Sequence, residues 1–245
     1  MIIVGITGAI DHGKTSFGQA LQKDQPQSVH YESAQIIGQL AQAWLATVPE
    51  LPAAEDIPAI NAWIQHAVPL LNKDFDVECT YLQVKIDPEQ VEQYPERYQK
   101  LFDFLNQPVQ PNLIVNEATK PYYRPLMQWM GGYFVGKIDF GIWYKKILQL
   151  IQEDEANSID FATVGGLRYP EDADILKQAG AIIVNIERPG QPMADLNDPT
   201  ERERQNIPID VTIINNGTLE DLQKCAAIFY GDLKAGQLKA SYSAI

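Results

Sequence analysis

The stretch GAIDHGKT, residues 8–15, constrains the fold more than any other part of the chain. It satisfies G-x-x-x-x-G-K-[ST] without mismatch, and it sits between a β-branched run, Ile2 to Ile6, and a helical segment predicted over Lys14 to Leu21. Strand, glycine loop and helix in that order form a phosphate cradle. Backbone N–H groups must ring the phosphate oxygens, and only glycine lets the chain curl that closely. Gly8 and Gly13 supply the curl, and Lys14 brings a point charge to the β- and γ-phosphates. Thr15 offers a hydroxyl to Mg²⁺, and Ser16 completes the nucleotide-binding set. Asp11 and His12 read as variable positions inside the loop.

Two further apolar runs, Ile159 to Val164 and Ala181 to Ile186, flank a helix predicted over Glu171 to Gln178 that stops at Gly180. That spacing describes a βαβ unit and therefore a parallel sheet. A last strand, Asp210 to Ile214, leads into a helix that Thr218 caps, with Asp221 three residues on. The fold class is α/β, a parallel sheet flanked by helices. We read one domain over 1–245, with a core of about 1–27 and 155–231, a helical insertion of about 28–154, and a polar, proline-bearing lid at about 190–206. Tyr122 to Ile151 is expected to be helical with a break at Gly131-Gly132. Trp129, Tyr133, Phe134, Trp143 and Tyr144 are assigned to the core. The tail after Asp232 is expected to be weakly ordered.

The net charge of −13 repels nucleic-acid phosphates, so an anionic ligand must be held by a local basic pocket. That favours a small phosphorylated substrate and excludes duplex nucleic acid as a partner. Cys79 and Cys225 give neither a disulfide framework nor zinc spacing and read as buried apolar filler. The opening Met-Ile-Ile-Val-Gly reads as a buried strand rather than a signal, and no apolar run approaches the length of a membrane span. These features point to a cytoplasmic protein without membrane contact. The insertion leaves a homodimer open.

GAIDHGKTS resembles the first motif of translational GTPases, but the likeness stops after that loop. Asn72-Lys73-Asp74-Phe75 carries Phe75 where the guanine-binding Asp of that family would stand. A second resemblance covers most of the chain. KPYYRPLMQWMGGYFVGKIDFGIW, from Lys120, is similar to the deoxynucleoside monophosphate kinases of bacteriophages and bacteria, with Arg124, Leu126, Met127, Gln128, Gly131, Asp139 and Trp143 matching. VGGLRYPEDA at 164–173, IERP at 186–189 and DVTIINNGTLEDL at 210–222 extend the likeness in order.

The resemblance implies a P-loop kinase-like fold with a helical acceptor-binding insertion, ATP and Mg²⁺ as cofactors, and phosphoryl transfer to a nucleoside or deoxynucleoside monophosphate. Arg124 and Gln128 are four apart and share a helix face. Arg suits bidentate phosphate binding and Gln presents both a donor and an acceptor to a base. Arg168 is the further catalytic candidate, and Arg188, Arg202 and Arg204 are candidates to bridge the phosphates. A kinase of another small metabolite, or a nucleotide sensor with little turnover, is the alternative.

Three departures stand out. Many P-loop kinases end a central strand with an Asp on the metal side, where this chain has Val164-Gly165-Gly166. The His-x-Ser-Glu lid pattern of relatives is not reproduced at Asp195 to Glu201. The Arg expected near Val135 is replaced by Gly136-Lys137, a point charge rather than a fork.

Overall fold

A computed structural model describes residues 1–23, 25–47, 50–108, 115, 118–191 and 199–245, without the side chains of 199–201. The chain runs β1 (Ile2–Gly8), α1 (Lys14–Gln22), β2 (Ser28–Glu32), α2 (Ser33–Leu45), α3 (Ile57–Gln65), α4 (Ala67–Phe75), α5 (Tyr81–Val84) and α6 (Pro88–Gln93). After a 3₁₀ turn at Pro95–Arg97 come α7 (Gln99–Leu105), α8 (Lys120–Lys137), α9 (Ile142–Ala156), β3 (Phe161–Gly165) and α10 (Pro170–Gln178). It closes with β4 (Ile182–Glu187), α11 (Pro199–Arg204), β5 (Val211–Asn215), α12 (Leu219–Ala235) and β6 (Ser241–Ala244). Two compact units result, Met1–Ser33 with Ile147–Ile245, and Ala34–Lys146.

The first unit holds a six-stranded sheet in the order β2-β3-β1-β4-β5-β6, parallel throughout. Parallel strands are covered on both faces and so read as continuous apolar runs, which is why the central strands were legible. Val4 and Ile6 of β1 point to the face where Phe17 of α1 meets Phe229 of α12, ring centres 5.8 Å apart. On the opposite face Gly5 leaves room for Leu176 of α10. Thr218 caps α12 as expected: its N–H donates to Asp221 Oδ2 at 2.9 Å, and its Oγ accepts from Asp221 N–H at 3.2 Å.

Three local expectations are overturned. The stretch from Ser28, expected to begin the helical insertion, opens with β2, which pairs in register with β3. The tail after Asp232 is ordered. There α12 continues to Ala235, Gly236 ends it in the left-handed region (φ 68°), and β6 joins the sheet edge with Tyr242 buried and donating to Asp232. Finally, α8 runs straight through Gly131-Gly132. A glycine costs a helix only about 1 kcal/mol, and burial of Trp129, Met130 and Phe134 around it outweighs that. The break falls instead at Asp139, whose carboxylate accepts from Gly141 N–H at 2.8 Å and from Lys145 at 2.5 Å. Burial pushes that carboxyl up, but these partners outweigh it and hold Asp139 below the ordinary value.

The second unit is helical around stacked aromatics. Trp44 lies on Trp63 at 4.1 Å and donates to its carbonyl at 2.9 Å, with Trp129 and Phe134 each 6.2 Å from Trp44. Asn72, the residue that suggested a guanine reader, instead clips the chain after α4. It donates to Cys79 O at 3.0 Å and accepts from Cys79 N–H at 2.8 Å, while Phe75 packs edge-on against Trp143. Cys79 and Cys225 are free and buried, and burial pushes both thiols up. Among the described residues no helix is long and apolar enough to cross a membrane.

Candidate active site

The phosphate loop leaves β1 at Gly8 and enters α1 at Gly13, and both glycines are required by geometry. Gly8 has φ 148°, and a Cβ there would lie 2.6 Å from the Ile186 carbonyl oxygen. Gly13 has φ 99°, and its Cβ would lie 2.6 Å from Asn215 Nδ2. Lys14 folds across the loop and donates to Ala9 O at 2.6 Å. Thr15 is exposed at the start of α1.

His12 is more than a tolerated variable position. It is 9% exposed, and its Nδ1 lies 3.2 Å from the Arg188 N–H and 3.3 Å from Ile186 O. Acceptance from Arg188 leaves the ring proton on Nε2, which has no hydrogen-bond partner among the described residues. Asn215 donates to His12 O at 2.9 Å. The loop is thus pinned to the exits of β4 and β5, and neither contact is written in the motif.

Arg168 projects, exposed, from the loop between β3 and α10. That loop is fixed on two sides: Thr7 Oγ donates to Leu167 O at 3.1 Å, and Asp172 Oδ2 accepts from the N–H groups of Arg168 at 2.9 Å and Tyr169 at 3.0 Å. Burial dominates at Asp172 and pushes its carboxyl up to about 6, although both backbone N–H groups pull it down. A carboxyl raised above its unfolded value of about 3.9 favours the protonated fold. Its contribution is therefore complete below about pH 4 and lost as pH rises through about 6, an effect of about 3 kcal/mol. Asp172→Asn is expected to flatten that part of the pH profile in urea unfolding at pH 4.5 and 7. Parallel wild-type and variant profiles would refute the assignment.

Because every strand is parallel, Arg168 after β3 and Arg188 after β4 stand at the same sheet edge as the phosphate loop. Arg202 is exposed on α11 and Arg204 is half-buried there with partners of its own. Of the expected lid, 192–198 lies outside the described residues, as do the side chains of 199–201.

In the helical unit Arg124 and Gln128 lie exposed on one side of α8. Gln128 lines a cavity of about 450 Å³, and Arg124 is not among its lining residues. The other walls come from Gln90 of α6, Arg97 of the 3₁₀ turn, Tyr98, Lys100 of α7, and Trp129, Tyr133 and Lys137 of α8. Among the described residues that line it, three are cations and none is a carboxylate, within a chain of net charge −13. Trp129 and Tyr133 stack at 4.7 Å, and Lys137 Nζ stands 5.6 Å from the Tyr133 ring centre and 3.4 Å from Gln90 Oε1. Burial, then Tyr98, pushes the Tyr133 hydroxyl above its ordinary range, so it stays a neutral donor, to Val84 O at 3.3 Å and Lys85 O at 3.1 Å. Of these lining residues the sequence singled out Gln128 as a candidate and Lys137 as a replaced arginine. Gln90, Arg97 and Lys100 reach the cavity from separate short elements and carry no signal in the sequence.

A parallel α/β sheet with a glycine loop curled between its first strand and first helix defines a P-loop kinase-like protein. Residues 60–225 match the deoxynucleotide monophosphate kinase family, and the chain belongs to that family. It is also similar to a protein of Acanthamoeba polyphaga mimivirus provisionally named deoxynucleotide monophosphate kinase, with 28% identity over 83 residues. That match covers 34% of this chain and spans about two fifths (39%) of the relative's length.

Proposed function

We propose that the protein transfers the γ-phosphoryl group of ATP, as its Mg²⁺ complex, to a nucleoside or deoxynucleoside monophosphate and releases the diphosphate. The observation that carries this reading is an intact phosphate loop, glycines demanded by geometry at both ends, in a chain of the deoxynucleotide monophosphate kinase family.

The donor side fits a triphosphate. Gly8 and Gly13 hold the loop in a curl that no Cβ permits, since it would strike Ile186 O or Asn215 Nδ2; Lys14 lies along the loop, and the buried His12 Nε2 is a donor with no described protein partner. Among the described residues no cluster of three or more His, Cys, Asp or Glu is arranged to hold a metal. Mg²⁺ keeps several waters and takes most other ligands from phosphates. Thr15 would hold it, and bound there it would neutralise charge on the transferring phosphoryl group. Lys14 and Arg168 supply fixed positive charge, which carries most of the rate in a reaction that needs little covalent help.

The acceptor side is read onto α8. The cavity offers an aromatic wall for a base, the Gln128 amide for its hydrogen-bonding edge, and Arg97, Lys100 and Lys137 for an anion. Its size lies within the range of small-ligand pockets. Arg124, outside the cavity lining but exposed on the same side of α8 as Gln128, is proposed as a further contact to the acceptor phosphate. Arg124→Ala is expected to raise the acceptor KM about tenfold with little change in that for ATP, the cost of one charge-assisted hydrogen bond. Gln128→Ala is expected to compress base preference, measured as kcat/KM across the four deoxynucleoside monophosphates, by about tenfold. An unchanged acceptor ranking would remove Gln128 from the site.

A further inference from the structure

The end of β3 carries no carboxylate, and the structure shows what occupies the space instead. His30 and Glu32 lie two residues apart on β2, so both side chains stand on one face of the sheet. Tyr31, between them, points the other way and donates to Asp154 of α9. The face of His30 and Glu32 is the one that carries α1. His30 Cε1 lies 3.7 Å from where a Cβ on Gly18 would be, and Thr15 is one turn before Gly18 on that side of the helix.

Glu32 pairs in register with Gly165, the last residue of β3, and β3 lies between β2 and β1. A Cβ at 165 would come within 3.1 Å of both Cγ and Oε1 of Glu32. The glutamate therefore lies over the glycine, in the volume that a β3 side chain would otherwise fill. Strands are about 4.8 Å apart, so this lean carries the carboxylate from the outer strand towards β1 and its loop. His30 supports the pose: its Nδ1 is 2.8 Å from Thr163 Oγ, and its Nε2 is 3.4 Å from Glu32 Oε1. With the threonine hydroxyl donating to Nδ1, the Nε2–H is left to donate to the carboxylate.

We propose that Glu32 is the metal-side carboxylate of this kinase, delivered from β2 across Gly165 to accept hydrogen bonds from the waters of the Mg²⁺ held by Thr15 and the triphosphate. It is a positioning residue, acting through those waters. The bare end of β3 and the long acid on β2 are then one device, because any side chain at 165 would displace the glutamate. This inference rests on the ATP and Mg²⁺ half of the function proposed above and not on the identity of the acceptor.

The test is binding of a fluorescent ATP analogue by the intact protein as Mg²⁺ is titrated, with a parallel titration in EDTA. Glu32→Gln is expected to raise the Mg²⁺ concentration for half-maximal binding about tenfold or more, the usual cost of losing an outer-sphere partner. Its affinity in EDTA should be no weaker than that of the wild type. Glu32→Asp, which keeps a shorter carboxylate, should fall between, and it serves if the glutamine variant does not fold. Glu32→Ala combined with Gly165→Asp should restore the Mg²⁺ dependence by moving the carboxylate to β3. An unchanged Mg²⁺ dependence in a folded Glu32→Gln protein overturns the proposal, as does equal weakening with and without metal. If the wild type binds the analogue with Mg²⁺ but phosphorylates no monophosphate, the acceptor reading fails while the Glu32 shift is still measured. If the wild type binds no ATP analogue, both fall.

Discussion

Lys14→Ala is expected to lower the rate of phosphoryl transfer about a thousandfold while leaving the fold nearly unchanged. The rate effect follows from removing a preorganised positive charge from the phosphates, where a single electrostatic contact is worth about two to three orders of magnitude. The small structural effect follows from the half-burial of Lys14, which lets water take over its contacts. Among them is the hydrogen bond to Ala9 O at 2.6 Å, worth about 1 kcal/mol net. Initial rates beside a thermal melt separate the two. A variant that keeps wild-type turnover would mean that the loop does not hold the transferring phosphates.

The largest expected stability effect belongs to Gly8→Ala. A Cβ at this position meets the Ile186 carbonyl oxygen at 2.6 Å, which is backbone in the middle of the sheet and cannot rotate away. The φ of 148° adds strain for any L side chain. Strain and overpacking together predict a loss of about 3 kcal/mol, or about 6–12 °C in Tm for a chain of this length, with nucleotide binding lost alongside. The control is Gly231→Ala, inside α12 with open space around it, which is expected to stabilise by about 0.5–1 kcal/mol. Equal melting temperatures for the two variants would show that Gly8 is not packed against β4 as described.

The contrast between these glycines bears on what a sequence can disclose. Gly8 and Gly13 were legible because the motif fixes their spacing and the flanking strand and helix fix their context. The pins of the loop were not: His12 reads as a variable letter, and its contacts at Ile186 and Arg188 lie far along the chain. Central strands β1, β3, β4 and β5 were legible because burial makes them short, largely apolar runs rich in β-branched residues. The edges were not. In β2 every residue is only half-buried, and β6 is a short Ser-Tyr-Ser-Ala with alternate residues exposed, so neither shows a run to recognise. Missing β2 also hid Glu32, since an acid two residues after a histidine carries no signal until both are known to face α1.

The helical unit divides in the same way. Arg124 and Gln128 were placed on one face because i,i+4 geometry is local. Arg97, Lys100 and Gln90 reach the cavity through packing of a 3₁₀ turn and two short helices against α8, information that no spacing encodes. The expected break at Gly131-Gly132 failed because helix propensity is weak beside the burial of Trp129 and Phe134.

The decisive measurement is to incubate the protein with ATP and Mg²⁺ against each ribo- and deoxyribonucleoside monophosphate and detect the diphosphates themselves, with Lys14→Ala run beside it. A monophosphate kinase gives a diphosphate from at least one monophosphate, formed with the wild type and absent with Lys14→Ala. No diphosphate from any acceptor, from protein that binds ATP, or equal product from the Lys14→Ala variant, would contradict that activity.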